Sequence, residues 1–291
     1  MFEIRESGYR YISPLWDCDC VAPSDLNSLT QLDSTIRTYT NACNQSGKTS
    51  NIAVYFRDMN NGPWIGINED VAYAPASLLK VPIMIAAFKM AENNPAFLEK
   101  KIHYNTPVDT THINLSDSLH IVPGHYYTIQ NLIEYMIIGS DNNAKQLVLN
   151  EIGDSYFFKI MQDLGINPSS NSDFVSVRMY SSFFRVLYNA SYLNKQYSET
   201  ALEILSRSSF KSGIAAHIPA GVTVANKFGE RDFYGSTVKQ LHDCGIIYHP
   251  QHPYLLCIMT RGNDFETQRK VISDISKIIY DGVDSGKFNY D

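Results

Sequence analysis

The chain has 291 residues, 44% hydrophobic and 19% charged, so it is long enough to bury a sizeable core in one compact unit or two lobes. Its net charge of −6 argues against nucleic acid as a partner, and no cluster of five or more Lys and Arg residues contradicts this. Because no run of 18 apolar residues occurs, no transmembrane helix is predicted.

The first predicted elements are a helix and a hairpin. Leucine and isoleucine recur at helical spacing over residues 25–42, with Ser24 or Asp25 available as the N-cap. A strand is predicted at 51–57, and a turn leads to a returning strand at 63–67. The first 22 residues are predicted to form an N-terminal arm.

The segment 77–92 is apolar on nearly all sides, which predicts a buried central helix. Pro82 has no backbone N–H to donate, so we expect the backbone around Ser77 to be locally irregular. Helices and loops follow over residues 93–219 and predict a mostly helical lobe. The predicted helices of this lobe are 128–138, 143–152, 156–164 and 179–190.

The end of the chain is predicted to supply three strands and a closing helix, at 221–229, 239–248, 253–261 and 265–283. With the two early strands they make one antiparallel five-stranded sheet, and the helical lobe is inserted between its two halves. We therefore predict an arm at 1–22 and one domain at 23–291. Its α/β lobe combines 23–75 with 220–291, and its helical lobe covers 76–219.

Five cysteines leave at least one unpaired. If a hairpin turn is centred on 249–252, Cys244 and Cys257 lie directly opposite each other on neighbouring strands. A disulfide and two buried thiols are both open there, and we favour the thiols. The Cys-Asp-Cys tripeptide at 18–20 lacks partner ligands and the histidines of the turn suit a surface position, so no metal site is predicted.

Three short motifs carry the chemistry: Ser77-Leu78-Leu79-Lys80, then Ser140-Asp141-Asn142, then Lys227-Phe228-Gly229. The first places an amine on the same helical face as a hydroxyl, where a neutral amine would take the serine proton. Burial or a second cation, such as Lys227, lowers the pKa of an amine and would make it neutral.

Each motif is weak alone, since Ser-x-x-Lys is expected about once by chance in a chain of this length. A structural alternative makes Ser77 and Asp141 helix caps and Lys227 a solvated strand residue. The order and spacing of all three motifs favour a serine acyl-transfer enzyme instead.

On these motifs the chain resembles class A β-lactamases and related penicillin-binding proteins, from about Leu26 to the C-terminus. The resemblance implies a two-lobed α/β fold of the β-lactamase and transpeptidase type. It also implies that Ser77 is the acylated nucleophile and Lys80 its base.

The same resemblance implies roles for the other motif residues. Ser140 would pass a proton to the leaving nitrogen, Asn142 would hold Lys80 and the substrate amide, and Lys227 would supply positive charge near Ser140. The backbone N–H groups of Ser77 and Glu230 would form the oxyanion hole.

One departure from the family concerns deacylation. In class A enzymes a loop between the second and third motifs carries a glutamate that activates the deacylating water, and this interval is shorter here. The acids present fit that position poorly: Glu151, Asp154, Asp173, Glu199 and Glu203. We therefore expect no dedicated deacylation base and a long-lived acyl-enzyme with a β-lactam.

Two further departures concern the substrate carboxylate. Phe228 stands where the family usually has a threonine or serine, and phenylalanine donates no hydrogen bond. Leu241 or His242 stands about where a carboxylate-binding arginine is often found, and Arg231 and Arg261 are the alternatives on neighbouring backbone. The candidate substrate-binding residues are Phe228, Gly229 and Arg231.

We expect a serine hydrolase that acts like a D,D-peptidase on peptidoglycan-type peptides and deacylates slowly after reaction with a β-lactam. A functional class A-type β-lactamase is the alternative enzyme, and a non-catalytic ligand-binding relative is the alternative of another class. No cofactor is expected, and the expected partner is a β-lactam or a peptidoglycan stem peptide.

The residues after Met1 are charged and lack the core of a signal peptide. Penicillin-binding relatives work outside the cytoplasmic membrane. We therefore expect an extracytoplasmic protein, periplasmic or secreted, with an export signal or anchor in the full-length protein.

Overall fold

The computed structural model describes residues 2–19, 26–60, 62–107, 115, 119–166 and 174–285. Its strands are β1 Phe2–Arg5, β2 Leu15–Asp19, β3 Asn51–Asp58, β4 Trp64–Ile67, β5 Lys101–Tyr104, β6 His125–Thr128, β7 Val224–Asp232, β8 Lys239–Ile247 and β9 Tyr254–Gly262. Its helices are α1 Leu26–Gln45, α2 Lys80–Asn93, α3 Ala96–Glu99, α4 Ile129–Ile138, α5 Asn142–Ile152, α6 Asp154–Asp163, α7 Val177–Tyr188, α8 Lys195–Ser206 and α9 Phe265–Asp284.

Five strands form the main sheet in the order β4-β3-β9-β8-β7, and every neighbouring pair is antiparallel. The two early and three late strands thus share one sheet, as the sequence predicted. Strand β7, which carries the third motif, lies at the edge of this sheet. The predicted helix N-cap at Ser24 or Asp25 lies outside the described residues.

Successive side chains of the main sheet point to opposite faces, and each face packs into its own apolar core. Residues such as Ala53, Tyr55 and Ala225 pack with the helical lobe, and the central helix α2 lies in that core with most of its residues buried. Residues such as Ile52 and Phe228 face the other way and pack with α1 and α9. This two-sided burial explains the near-continuous apolar runs of β3 and β9.

Polar side chains fix where several helices begin. Thr128 and Asn131 form a capping box at α4, and Asp141 accepts a hydrogen bond from the Ala144 N–H at the start of α5. Ser176, Asn194 and Asp264 cap α7, α8 and α9 in the same manner. Each cap satisfies a backbone donor that the helix itself leaves unpaired.

The N-terminal segment is docked onto the helical lobe. Strands β1 and β2 pair antiparallel, and the side chains of Tyr11 and Ile12 between them are buried. The Glu199 carboxylate accepts hydrogen bonds from the N–H groups of Arg10, Tyr11 and Ile12 at 2.9 to 3.1 Å. The segment predicted as an arm is therefore packed against the helical lobe. The predicted domain boundaries remain a prediction.

Cys244 and Cys257 occupy directly opposite positions of β8 and β9, as the hairpin register predicted. They form a disulfide, with Cα atoms 4.0 Å apart. Our preference for two free thiols was therefore wrong, because the two strands approach closely enough at this pair to bring the sulfur atoms within bonding distance. Cys43, in α1, is buried and free.

Within the described part of the chain, no helix combines the length and the apolar character that a membrane span needs. Among those same residues, no group of three or more His, Cys, Asp and Glu side chains is arranged to hold a metal ion.

Candidate active site

Ser77 lies in a single 3-10 turn, Ala76–Leu79, that leads directly into α2. Ala76, just before it, has a positive φ of 48°. The turn is held from outside by the Tyr180 hydroxyl, which donates a hydrogen bond to the Leu78 carbonyl at 2.9 Å. The irregular backbone predicted around Ser77 is confirmed, and the N-cap residue of α2 is Leu79 and not Ser77.

Lys80 is fully buried, and its Nζ lies 2.9 Å from the Ser77 Oγ. The same amine lies 2.7 Å from the Asn142 Oδ1 and 3.1 Å from the Ser140 Oγ, and it also donates to the Ser140 carbonyl. The structure thus brings the first and second motifs together around one amine.

The second motif forms the turn between α4 and α5. Ser140 has a φ of 58°, a conformation that costs a non-glycine residue about 1–2 kcal/mol. Contacts of the Asp141 side chain offset this cost. Its carboxylate caps α5, accepts a hydrogen bond from the Ile121 N–H at 3.1 Å and lies 3.0 Å from the His120 Nδ1. The capping interpretation of Asp141 is therefore confirmed, and the cap holds Ser140 and Asn142 toward Lys80.

Lys227 comes from the sheet edge and completes the network. It is fully buried, and its Nζ lies 2.8 Å from the Ser140 Oγ and 3.0 Å from the Phe228 carbonyl. The idea of a solvated strand lysine is therefore wrong. Burial lowers the pKa of Lys227 from 10.5 to about 7. The negative charges of Asp243 and Glu230 raise this pKa, but their effect is smaller than that of burial.

Gly229 lets β7 approach the turn that holds Ser77. A Cβ atom at this position would lie 3.0 Å from the Pro75 carbonyl oxygen and 3.1 Å from the Leu78 backbone nitrogen. The strand end and the Ser77 turn are therefore in direct contact, which brings Glu230, the next residue, to the same region. The Glu230 carboxylate accepts a hydrogen bond from the Leu115 N–H at 3.1 Å.

Phe228 is buried and does not present an open face to the cleft. Its ring stacks on Phe210, with centroids 4.3 Å apart, and the Lys227 ammonium lies 4.3 Å from the Phe228 centroid. The phenylalanine thus replaces a hydrogen-bonding residue with an aromatic support beneath the lysine.

The candidate carboxylate-binding residues on neighbouring strands make other contacts. His242 is buried, with its Nε2 3.0 Å from the Ala74 carbonyl oxygen, and Leu241 belongs to the core on the other face of the sheet. Arg261 donates to the Ala72 carbonyl at 3.1 Å. Arg231 is exposed, and its guanidinium lies 5.4 Å from the Phe233 centroid.

Most of the acids considered for deacylation have other described partners. Glu151 pairs with Lys100 at 2.5 Å, Glu203 with Arg207 at 3.0 Å, and Glu199 anchors the N-terminal segment. Asp154 lies in the first turn of α6 and is exposed. Asp173 lies outside the described residues.

Several supporting residues were missed by the sequence analysis. Gln240 accepts a hydrogen bond from the Ala74 N–H at 2.9 Å, Tyr180 holds Leu78, and buried Asp243 accepts from Asn226. These contacts join residues more than fifteen positions apart and form no local motif. A signal existed only for Asp243, an acid in the middle of a strand whose second half is apolar.

A model of the Beta-lactamase enzyme family matches residues 31–283 of the chain. The chain belongs to this family. It is therefore a serine hydrolase of the β-lactamase family, as the three motifs predicted, and its two-lobed α/β architecture is the fold of class A β-lactamases.

Similar proteins include enzymes and a penicillin-binding protein. β-Lactamase VEB-1 of Pseudomonas aeruginosa is 23% identical over 261 residues, which cover 80% of this chain and 85% of VEB-1. A PBP-A mutant solved as an acyl-enzyme complex with penicillin G has a TM-score of 0.74 at 20% identity, covering 88% of this chain and 97% of PBP-A. A β-lactamase from Sphaerobacter thermophilus has a TM-score of 0.75 at 19% identity, with coverages of 87% and 97%.

Proposed function

We propose that this family member is an acyl transferase with Ser77 as its nucleophile and Lys80 as the base. The observation that carries the proposal is the 2.9 Å contact between Lys80 Nζ and Ser77 Oγ, made by an amine that is completely buried. In its neutral form this amine accepts the Ser77 proton while Oγ attacks the substrate carbonyl. Asn142, at 2.7 Å, keeps the amine in place.

Ser140 is proposed to move the proton onward. Its hydroxyl lies between two amines, 3.1 Å from Lys80 Nζ and 2.8 Å from Lys227 Nζ. The hydroxyl therefore receives a proton from protonated Lys80 while it donates its own to the leaving nitrogen. A charged Lys227 favours this transfer, because it stabilises negative charge on the Ser140 oxygen.

The oxyanion is proposed to bind the backbone N–H groups of Ser77 and Glu230. The close packing of Gly229 on Pro75 and Leu78 supports this role, because it fixes the end of β7 beside the Ser77 turn. Gly229 and Arg231 are proposed substrate contacts along the strand edge, and Phe228 acts through its support of Lys227.

We propose D,D-peptidase-like acyl transfer on peptidoglycan-type peptides, with slow hydrolysis of a β-lactam acyl-enzyme. The support is that Glu151, Glu199 and Glu203 have other partners and are not held as bases for water. A mutant of PBP-A, which shares the fold, was solved as a penicillin G acyl-enzyme. An extracytoplasmic location is also proposed, since a disulfide persists in an oxidising compartment.

The test compares two reactions of the same preparation. The protein is incubated with penicillin G, and ring opening and intact mass are followed together. Release of D-alanine from a D-Ala-D-Ala-terminated peptide is measured in parallel, with Ser77→Ala as the matched control. A lasting adduct with slow ring opening, together with D-alanine release, supports the proposal.

Fast ring opening without a lasting adduct contradicts the peptidase proposal and supports a β-lactamase, the activity in the name of VEB-1. A simple activated ester separates an enzyme from a binding protein. Ester hydrolysis that is lost in Ser77→Ala excludes the binding protein, and its absence contradicts acyl transfer.

A further inference from the structure

A buried cluster lies behind Lys227, on the opposite face of the sheet, and we call it the underside cluster: Phe210, Asn226, Phe228 and Asp243. Asn226 and Phe228 flank Lys227 in β7, and Asp243 is the direct neighbour of Phe228 in β8. All four side chains are buried. The cluster therefore surrounds the segment of β7 that carries the lysine.

Asp243 connects the parts of this cluster. Its Oδ1 accepts a hydrogen bond from the Asn226 side chain at 2.9 Å, and its Oδ2 accepts from the Ile214 N–H at 2.9 Å. The Asn226 amide also donates to the Phe210 carbonyl at 3.3 Å. A Cβ at Gly213 would lie 2.2 Å from the Asp243 Oδ2, so this loop needs glycine to approach the carboxylate.

A completely buried carboxylate is unfavourable unless hydrogen bonds and an opposite charge compensate it. The two hydrogen bonds supply part of this compensation. The titratable groups that interact with Asp243 or with Lys227 are Lys211 before the loop, Glu230 on β7 and the neutral Tyr180 hydroxyl on α7. The amine of Lys80 on α2 faces Lys227 across the Ser140 hydroxyl, and both lysines are fully buried.

We propose that Asp243 is a positioning residue for Lys227: its carboxylate fixes β7 on one side of the lysine and supplies negative charge that favours the ammonium form of this buried amine near neutral pH. The inference rests on the proposed role of Lys227 beside Ser140. A neutral Lys227 would still reach the Ser140 Oγ, but it would no longer stabilise negative charge there.

The titration of both groups fits this arrangement. Burial raises the pKa of Asp243 to about 7, and the charge of Lys227 opposes this rise. Burial lowers the pKa of Lys227 to about 7, and the charge of Asp243 opposes this fall. Each charged group therefore stabilises the charged form of the other, and the two groups titrate as a coupled pair in the neutral pH range.

The test uses Asp243→Asn, which removes the charge and keeps the size of the side chain. The Lys227 amine is titrated by NMR of ¹³C-labelled lysine, with Lys227→Arg for assignment. We expect its midpoint to fall by about one pH unit or more in Asp243→Asn. Acylation by penicillin G should then fall about tenfold near neutral pH and recover as the pH is lowered.

Ser276→Ala is the matched control, because Ser276 donates to the Ile214 carbonyl at 2.6 Å and carries no charge. It loosens the same loop and should leave the Lys227 midpoint unchanged. An unchanged midpoint in Asp243→Asn, or an equal shift in Ser276→Ala, overturns the inference.

Lys227→Met provides a second route if Asp243→Asn does not fold. Because the coupling is reciprocal, the midpoint of the Asp243 carboxyl must rise in this variant, and an unchanged midpoint overturns the inference. The titrations need no substrate. A shifted Lys227 midpoint in a protein that penicillin never acylates therefore supports the inference while it contradicts the proposed function.

Discussion

Replacing Phe228 by threonine, the type of residue that the family usually has there, is expected to lower the free energy of unfolding by about 3–5 kcal/mol. The ring is only 1% exposed, and burying a phenylalanine contributes about 1.5–3 kcal/mol. Its stacking on Phe210, with centroids 4.3 Å apart, adds about 0.5–1.5 kcal/mol. The nearby Lys227 ammonium adds about 0.5–2 kcal/mol, and the threonine methyl restores only part of this total.

The assay is urea unfolding followed by far-UV circular dichroism, with the free energy extrapolated linearly to water. Phe228→Leu is the matched control, because it keeps most of the buried apolar volume and removes the ring; we expect a loss of about 1–2 kcal/mol. A loss below about 1 kcal/mol in Phe228→Thr would refute the reasoning, since it would mean that the ring is not packed between Phe210 and Lys227.

Three further perturbations have defined outcomes. Replacing both cysteines of the Cys244–Cys257 disulfide by alanine frees a loop of sequence separation 13 and should lower stability by about 3 kcal/mol in urea unfolding; an unchanged midpoint would mean that the bridge does not form. Glu199→Ala should expose the bond after Arg10 to trypsin while acylation is kept, and an unchanged cleavage rate would contradict the docking of this segment. Unfolding measured from pH 4 to 10 should show two opposite slopes from the buried pair. Asp243 holds a proton in the folded protein between 3.8 and about 7, so stability falls as the pH rises through that window. Lys227 is protonated only in the unfolded chain between about 7 and 10.5, so stability rises there, and Asp243→Asn should lose the falling limb.

The sequence predicted those helices and strands in which buried apolar residues recur at a regular spacing. The central helix and the strands β3, β7, β8 and β9 are long, largely buried segments, so their pattern is clear, and β4 was predicted because it returns from β3 through a recognisable turn. The hairpins β1–β2 and β5–β6 have strands of only four or five residues, too short to show a period of two.

The candidate site shows the same division. Ser77, Lys80, Ser140, Asn142 and Lys227 could be named because they stand in short motifs, and the structure brings them together. The role of Phe228 could not be predicted, since its stacking partner Phe210 is 18 positions earlier and no local pattern links them. The Cys244–Cys257 disulfide could not be predicted either, because the strand register places the two cysteines opposite each other without giving the distance between their sulfur atoms.

The most direct test of the central claim is to locate the acyl group. The wild-type protein and Ser77→Ala are treated with penicillin G, quenched in acid and digested, and the modified peptide is sequenced by tandem mass spectrometry. We predict an adduct equal to the mass of penicillin G on Ser77 of the wild type and none on the variant. An adduct on another residue, or an equal adduct on Ser77→Ala, would contradict the assignment of Ser77 as the nucleophile.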